Sequence, residues 1–447
     1  MIIDRWSVNR LNYLSLTDVA AFRGDIFMKL WRLLIVIVTL SVGFASYAAN
    51  PSFADFDRRA KLGYHLNVVF FGASLTWSAN ASDQSLTSYR AVMQNYLEAK
   101  YPKAHFKCYD AAIGGTGSQL GVFRLNRDVF QRNPDMVFLD FAANDDIYSD
   151  NPETLASYES IVRRIIIDGK CPVVLMIFPF GWDADSKKFD SMKRRTAILN
   201  LAKVYNAPVG DAIKLVTERI EKKEVTNAKI WEFDQVHPGD LGYKNFADAA
   251  LIGYNDGVAR QLKCAAPEKM VYSSKYMVNN RVRISSLGPL PEGWVATHPT
   301  LTAAWHDGLM SRWLDDVSYA SNRRTVKNAD GKKEVFPQKC GRIKAIVNGE
   351  MVMLFGEEGV NAGKYHVYVD GKLVTYTPWG WKQPTDLFSA GFVAGTRQHM
   401  PVIVPNLDPK TDHLLEIEPV FDETKEQELK LESICVAGGK ATVTAVK

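Results

Sequence analysis

Cysteine is scarce, and what there is has no pattern. Cys108, Cys171, Cys264, Cys340 and Cys435 stand at no zinc-ligand or redox-motif spacing, so neither a metal nor a cofactor is expected. Charge of one sign is also missing: 54 Lys and Arg face 50 Asp and Glu, the net charge is +4, and no basic tail collects it. Nucleic acid is therefore not an expected partner. The chain lacks internal repeats and low-complexity tracts. Its strongest apolar run, Leu33 to about Ala45, is too short to span a bilayer comfortably. Long apolar segments that would form a lipase lid are absent, which makes triglyceride a weak candidate. Gly72-Ala73-Ser74-Leu75-Thr76 lacks the second glycine of the α/β-hydrolase nucleophile elbow.

What is present begins with a leader. From Met28 to Asn50 the chain runs MKLWRLLIVIVTLSVGFASYAAN, with basic residues first (Lys29, Arg32), then the apolar run, then small residues. Residues 1–49 are thus expected to be a leader with a secretory signal peptide at its core (28–48), cleaved near Ala48 or Ala49. An uncleaved anchor is the alternative, and either Met1 or Met28 is the true start. The expected location is outside the cytoplasm, secreted or periplasmic, with no stable membrane partner after cleavage. Export permits disulfides, and Cys340 with Cys435 is the pair that would staple the C-terminal part. Cys108 and Cys171 lie beside apolar runs and are expected to be buried and inert.

A chain of 447 residues exceeds what one core usually serves, so two folding units are expected, 51–262 and 265–447. In the first, short apolar runs (67–71, 105–109, 136–141, 173–178, 207–210) alternate with stretches of helical spacing (89–100, 119–130, 155–168, 192–204, 243–252). That rhythm predicts a three-layer α/β/α domain around a parallel sheet, with ligands at the carboxyl ends of its strands. After Ala265 glycine, proline and aromatic residues increase. MVMLFGEEG, KYHVYVDGKLVTY and HLLEIEPVF read as strands, and Asp370-Gly371 as a tight hairpin turn. A second, all-β sandwich or jelly roll is expected there.

Ser74 directly follows the first predicted strand, and FDQVHPGD places Asp234 and His237 three positions apart. A serine hydroxyl, an imidazole and a carboxylate to orient it are the parts of a nucleophilic hydrolase. Pro238 would stiffen the histidine loop. Between these segments lie AAIGGTGS and FAANDD, whose Gly115 and Asn144 follow further predicted strands. The Ser74 amide, the Gly115 amide and the Asn144 side chain are the candidate donors to an oxyanion. Asp145 and Asp146 are expected to be solvated or helix-capping. For Trp77 and Trp231, packing and sugar stacking both stay open.

These blocks resemble the SGNH hydrolases, the GDSL-like lipase and esterase superfamily. FGASLTWSANA matches around Ser74, AAIGGTGSQLG puts the oxyanion glycine on Gly115, AAND puts the asparagine on Asn144, and DQVHPGD supplies Asp234 and His237. One departure is that the aspartate usual before the nucleophile is Ala73. The resemblance implies a flavodoxin-like parallel sheet and a Ser74–His237–Asp234 triad, and it leans to the carbohydrate-esterase branch, which removes acetyl groups from polysaccharides. The stretch ending in YVDGK is similar to accessory β-sandwich modules of such esterases. The expected partner is an acylated carbohydrate or another small ester. Two alternatives remain: a lipid-ester hydrolase of lysophospholipase or thioesterase type, and a noncatalytic glycan-binding protein. The C-terminal part is expected either to complete the rim of the cleft or to bind glycan through Tyr376, Trp379 and Trp381. Trp294, Trp305 and Trp313 fall in its connecting stretch, and His306 and His399 are expected to be surface or hydrogen-bonded residues.

Overall fold

The computed structural model describes residues 51–300, 314, 316–378, 381–393 and 395–446. The expected signal peptide and residues Trp305, His306, Trp313 and Trp379 lie outside the described residues. Along the first part run α1 (Phe53–Lys61), β1 (His65–Gly72), α2 (Ser74–Trp77), α3 (Tyr89–Lys100), β2 (His105–Ala112), α4 (Ser118–Asp128), β3 (Met136–Leu139) and α5 (Pro152–Ile167). Then come β4 (Val173–Ile177), α6 (Lys193–Val204), β5 (Val209–Asp211), α7 (Ala212–Glu221), α8 (Asn227–Ile230) and α9 (Asp240–Ala259). The five strands form one parallel sheet in the order β2-β1-β3-β4-β5.

Every residue of β3 and β4 is buried, as apolar runs without alternation require of strands covered on both faces. Phe70 packs on Tyr89 of α3, whereas its neighbour Phe71 takes the Arg124 guanidinium of α4 at 4.4 Å. Successive side chains of a strand face opposite ways, so these two contacts mark the two helical layers. Local signals set the helix starts: the Ser88 side chain accepts from the Ala91 amide at α3, and Asn151 caps α5 just before Pro152. Because all five strands are parallel, the loops after β1, β2 and β3 open at one edge. The strand order reverses beside β1, which makes that edge the natural place for a cleft.

The C-terminal part is all-β in its sheets. A seven-stranded antiparallel sheet centres on Met351–Glu358 and Glu428–Ala437, and a six-stranded one on Lys364–Val369, His413–Val420 and Ile343–Asn348. Val352, Leu354, Ile434 and Val436 of the first sheet share a core with Val367, Leu415 and Ile417 of the second. The alternate residues Met351, Met353, Phe355, Cys435 and Ala437 instead join the core of the α/β lobe. The two central strands of this seven-stranded sheet are therefore buried on both faces, and the two lobes share apolar contacts; Phe123 of α4 meets Phe355 edge-on.

The Asp370-Gly371 turn forms as expected, both residues at positive φ (51° and 73°), between Lys364–Val369 and Lys372–Leu373. The strands on either side of Gly438-Gly439 belong to different sheets, so this pair makes a crossover. The Cys340–Cys435 staple is absent. All five cysteines are unpaired: Cys435 points into the shared core, whereas the Cys340 thiol lies 3.4 Å from the Ser321 carbonyl. Cys171 is buried as expected, and Cys108 is only partly so.

Candidate active site

Ser74 opens α2, a single turn held from outside. Arg90 donates to the carbonyls of Thr76 (2.9 Å) and Trp77 (2.8 Å), and Tyr243 donates to that of Ala79. Arg124, fully buried, donates to the carbonyls of Gly72 (2.7 Å) and Ala111 (2.6 Å), tying together the ends of β1 and β2. Ser74 is 5% exposed and His237 6%, so the pair sits in a largely dehydrated place.

The Ser74 Oγ lies 3.0 Å from His237 Nε2. On the other side of the ring, Nδ1 is 3.5 Å from Asp234 Oδ2, a looser approach of the kind that tightens when substrate binds. The three-residue spacing works because Asp234 folds the loop around itself. Its Oδ1 accepts from the Val236 and His237 amides, both at 2.6 Å. Burial pushes the Asp234 carboxyl up, but these amides, the Asn80 side chain and the nearby imidazole together hold it below the ordinary carboxylate value. An ionised carboxylate facing Nδ1 keeps a proton there and leaves Nε2 as an acceptor for the serine. The loop is closed by Gly239 N–H to the Ile230 carbonyl and by Gly181 N–H to that of Gln235.

The structure thus brings Ser74, His237 and Asp234 together. Gly115 and Asn144 lie in the loops after β2 and β3, the two strands that flank β1. Gly115 has φ +70°, a conformation that needs glycine. Asn144 is partly buried in the turn that follows β3. Asp145 is buried, and it caps α4 by accepting from the Ser118 amide at 2.9 Å, which links these two loops. Burial raises its carboxyl to about 6, with the nearby Arg194 guanidinium opposing the shift. Asp146 is exposed. No group of three or more His, Cys, Asp or Glu that could hold a metal occurs among the described residues.

Residues 70–244 match the model of the GDSL-like Lipase/Acylhydrolase family. The α/β lobe has a GDSL-type esterase fold. No curated protein matches the chain in sequence. Among solved structures, the chain is similar to a two-domain esterase active on acetylated mannans co-crystallised with mannopentaose, at 22% identity and a TM-score of 0.67, covering 88% of this chain and 97% of that one. The same esterase without the oligosaccharide matches at 21% and 0.67, over 88% and 98%. The acetylxylan esterase Axe2 from Geobacillus stearothermophilus is 23% identical over 43% of this chain and 96% of its own, with a TM-score of 0.36.

Within this GDSL-type frame, several site residues escape sequence reasoning. Asn80, at φ +71°, donates to Asp234 Oδ2 (3.0 Å) and to the His237 carbonyl (3.2 Å), joining the nucleophile loop to the histidine loop. Its only sequence signal is the small polar run SANAS, where an asparagine tolerates the left-handed conformation. Ala73, at the position of the usual aspartate, is fully buried. A different carboxylate lies below the nucleophile turn: Asp140, 1% exposed, accepts from the Ala142 amide at 3.3 Å and lies 3.4 Å from the Thr76 hydroxyl. Burial drives its carboxyl up to about 7. Trp231 is packed in the core, whereas Trp77 is half-buried. In the β lobe Tyr376 stacks on Phe388 at 4.2 Å and Trp381 is 64% exposed. His399 is buried against the Tyr365 hydroxyl at 2.6 Å.

Proposed function

We propose that the chain is an exported serine esterase that removes short acyl groups, acetyl foremost, from a carbohydrate through a Ser74–His237–Asp234 triad. The observation that carries this reading is the 3.0 Å approach of Ser74 Oγ to His237 Nε2, with Asp234 on the far side of the ring. His237 Nε2 takes the Ser74 proton as Oγ attacks the acyl carbon. The tetrahedral oxyanion is met by the Gly115 and Ser74 amides and the Asn144 side chain. Collapse expels the sugar hydroxyl, which takes the proton from His237, and leaves acyl-Ser74. Water, activated by the same imidazole, attacks the acyl-enzyme to release the carboxylic acid and restore Ser74.

A carbohydrate alcohol is favoured by the likeness to a two-domain esterase active on acetylated mannans, which extends over both lobes. Export is favoured by the leader pattern of residues 28–48. The test is acetate release from a panel of acetylated polysaccharides beside short and long p-nitrophenyl esters. Release from a glycan, abolished by Ser74→Ala, is the expected outcome. Turnover of long-chain esters alone would replace the carbohydrate by a lipid.

A further inference from the structure

The peptide that joins Gly114 to Gly115 is gripped from the other lobe. Gln398 lies on the edge strand Arg397–His399 of the seven-stranded sheet, and its Nε2 donates to the Gly114 carbonyl. Its two neighbours are anchored elsewhere: Arg397 pairs with Glu358, and His399 Nδ1 lies 3.2 Å from the same carboxylate. Alternate side chains on a strand point to opposite faces, so fixing Arg397 and His399 on Glu358 turns Gln398 toward the α/β lobe. The register is set by backbone pairing of Gln398 with Glu357.

A trans peptide is planar, with its C=O and N–H pointing in opposite directions. The Gly114 carbonyl and the Gly115 N–H belong to one such unit. A donor seated on the oxygen therefore fixes where the hydrogen points. Two successive glycines would otherwise let this unit rotate at little cost. A hydrogen bond to the oxygen also polarises the unit and strengthens its N–H as a donor.

We infer that Gln398 is a positioning residue that the β lobe contributes to the esterase site: it clamps the Gly114–Gly115 peptide so that the Gly115 N–H faces the oxyanion. This rests on the esterase reading above. The β lobe is then part of the chemistry of any ester the site accepts, down to the smallest.

The test is kinetics on p-nitrophenyl acetate, a substrate too small to need a glycan-binding surface, with Gln398→Ala and Gln398→Glu. For Gln398→Ala kcat is expected to fall about tenfold or more with KM within about twofold, short of the roughly 10²–10³ lost with an oxyanion donor itself. Gln398→Glu keeps the shape but cannot donate when ionised. It is expected to be at least as impaired as the alanine variant near pH 8, where it is ionised, and to regain ground on wild type assayed at the same pH as pH falls toward about 4 and its carboxyl gains a proton. Unchanged kcat in a folded Gln398→Ala, or a Gln398→Glu deficit that is the same at every pH, would overturn the inference. If the alanine variant does not fold, the isosteric glutamate variant decides alone. Activity that depends on Ser74 but ignores Gln398 sinks only this inference; activity that survives Ser74→Ala sinks the esterase reading too.

Discussion

Asn80 separates the orientation of the proposed triad from its presence. Removing its amide leaves Ser74, His237 and Asp234 in place but takes one donor from Asp234 and one from the histidine loop. Asn80→Ala is therefore expected to lower kcat by about 10-fold to 100-fold, the size of one hydrogen bond to a charged group. Asn80→Asp, which cannot donate, should be at least as impaired; full activity in both would remove Asn80 from the site. Asp140 offers a test by pH. The unfolded carboxyl titrates near its ordinary 3.8 and the folded one near 7, so between these values the folded chain holds a proton that the unfolded chain has lost. Stability from this group is complete below about pH 4 and drains away as pH rises through about 7. Asp140→Asn is expected to flatten that part of the melting profile, gaining on wild type from pH 4 to 8; parallel profiles would contradict it. Ser74, Asp234 and His237 were legible in the sequence because each stands in a short local pattern. Asn80, Asp140 and Gln398 were not, because their roles depend on partners 64 to 284 positions away.

At the scale of elements, the loop after β2 is the most exacting. Gly115 is at φ +70°, where a side chain costs roughly 1–2 kcal/mol. A methyl group there would meet only Gln398 Nε2, at 3.8 Å, which is ordinary contact. Gly115→Ala should thus act by backbone strain and a tilted peptide rather than by a clash. Its expected mark is a kcat loss with KM nearly unchanged and a modest drop in melting temperature; a loss confined to KM would contradict this. The parallel strands were legible because β3 and β4 are continuous apolar runs and β1 contains one, Val68–Phe71, each bounded by polar or small residues. Their order in the sheet was not, since a run of β-branched residues does not name its neighbour. The same holds for the strands Glu428–Ala437 and Thr442–Thr444, since the glycines between them carry the chain from one sheet to the other.

The whole molecule is more unified than its composition suggests. Met351, Met353 and Phe355 face the α/β core, whereas Val352 and Leu354 face the sandwich core. One strand thus serves both lobes, and the sequence showed only its apolarity. Calorimetry of residues 50–447 is expected to give a single cooperative transition; two separated transitions would show that the shared core contributes little. The cysteines teach a related lesson. The expected export would permit a disulfide, but the Cys435 thiol points into the shared core and Cys340 lies by the Ser321 carbonyl, a geometry that no spacing along the chain reveals. The most direct test of the triad needs no substrate. Wild type, Ser74→Ala and His237→Ala would be treated with a fluorophosphonate, which traps an activated serine, and the adduct located by peptide mass spectrometry. A single adduct on Ser74, absent from Ser74→Ala and formed far more slowly in His237→Ala, is the expected result. A folded wild type left unlabelled, or labelled at another residue, would contradict the account at its centre.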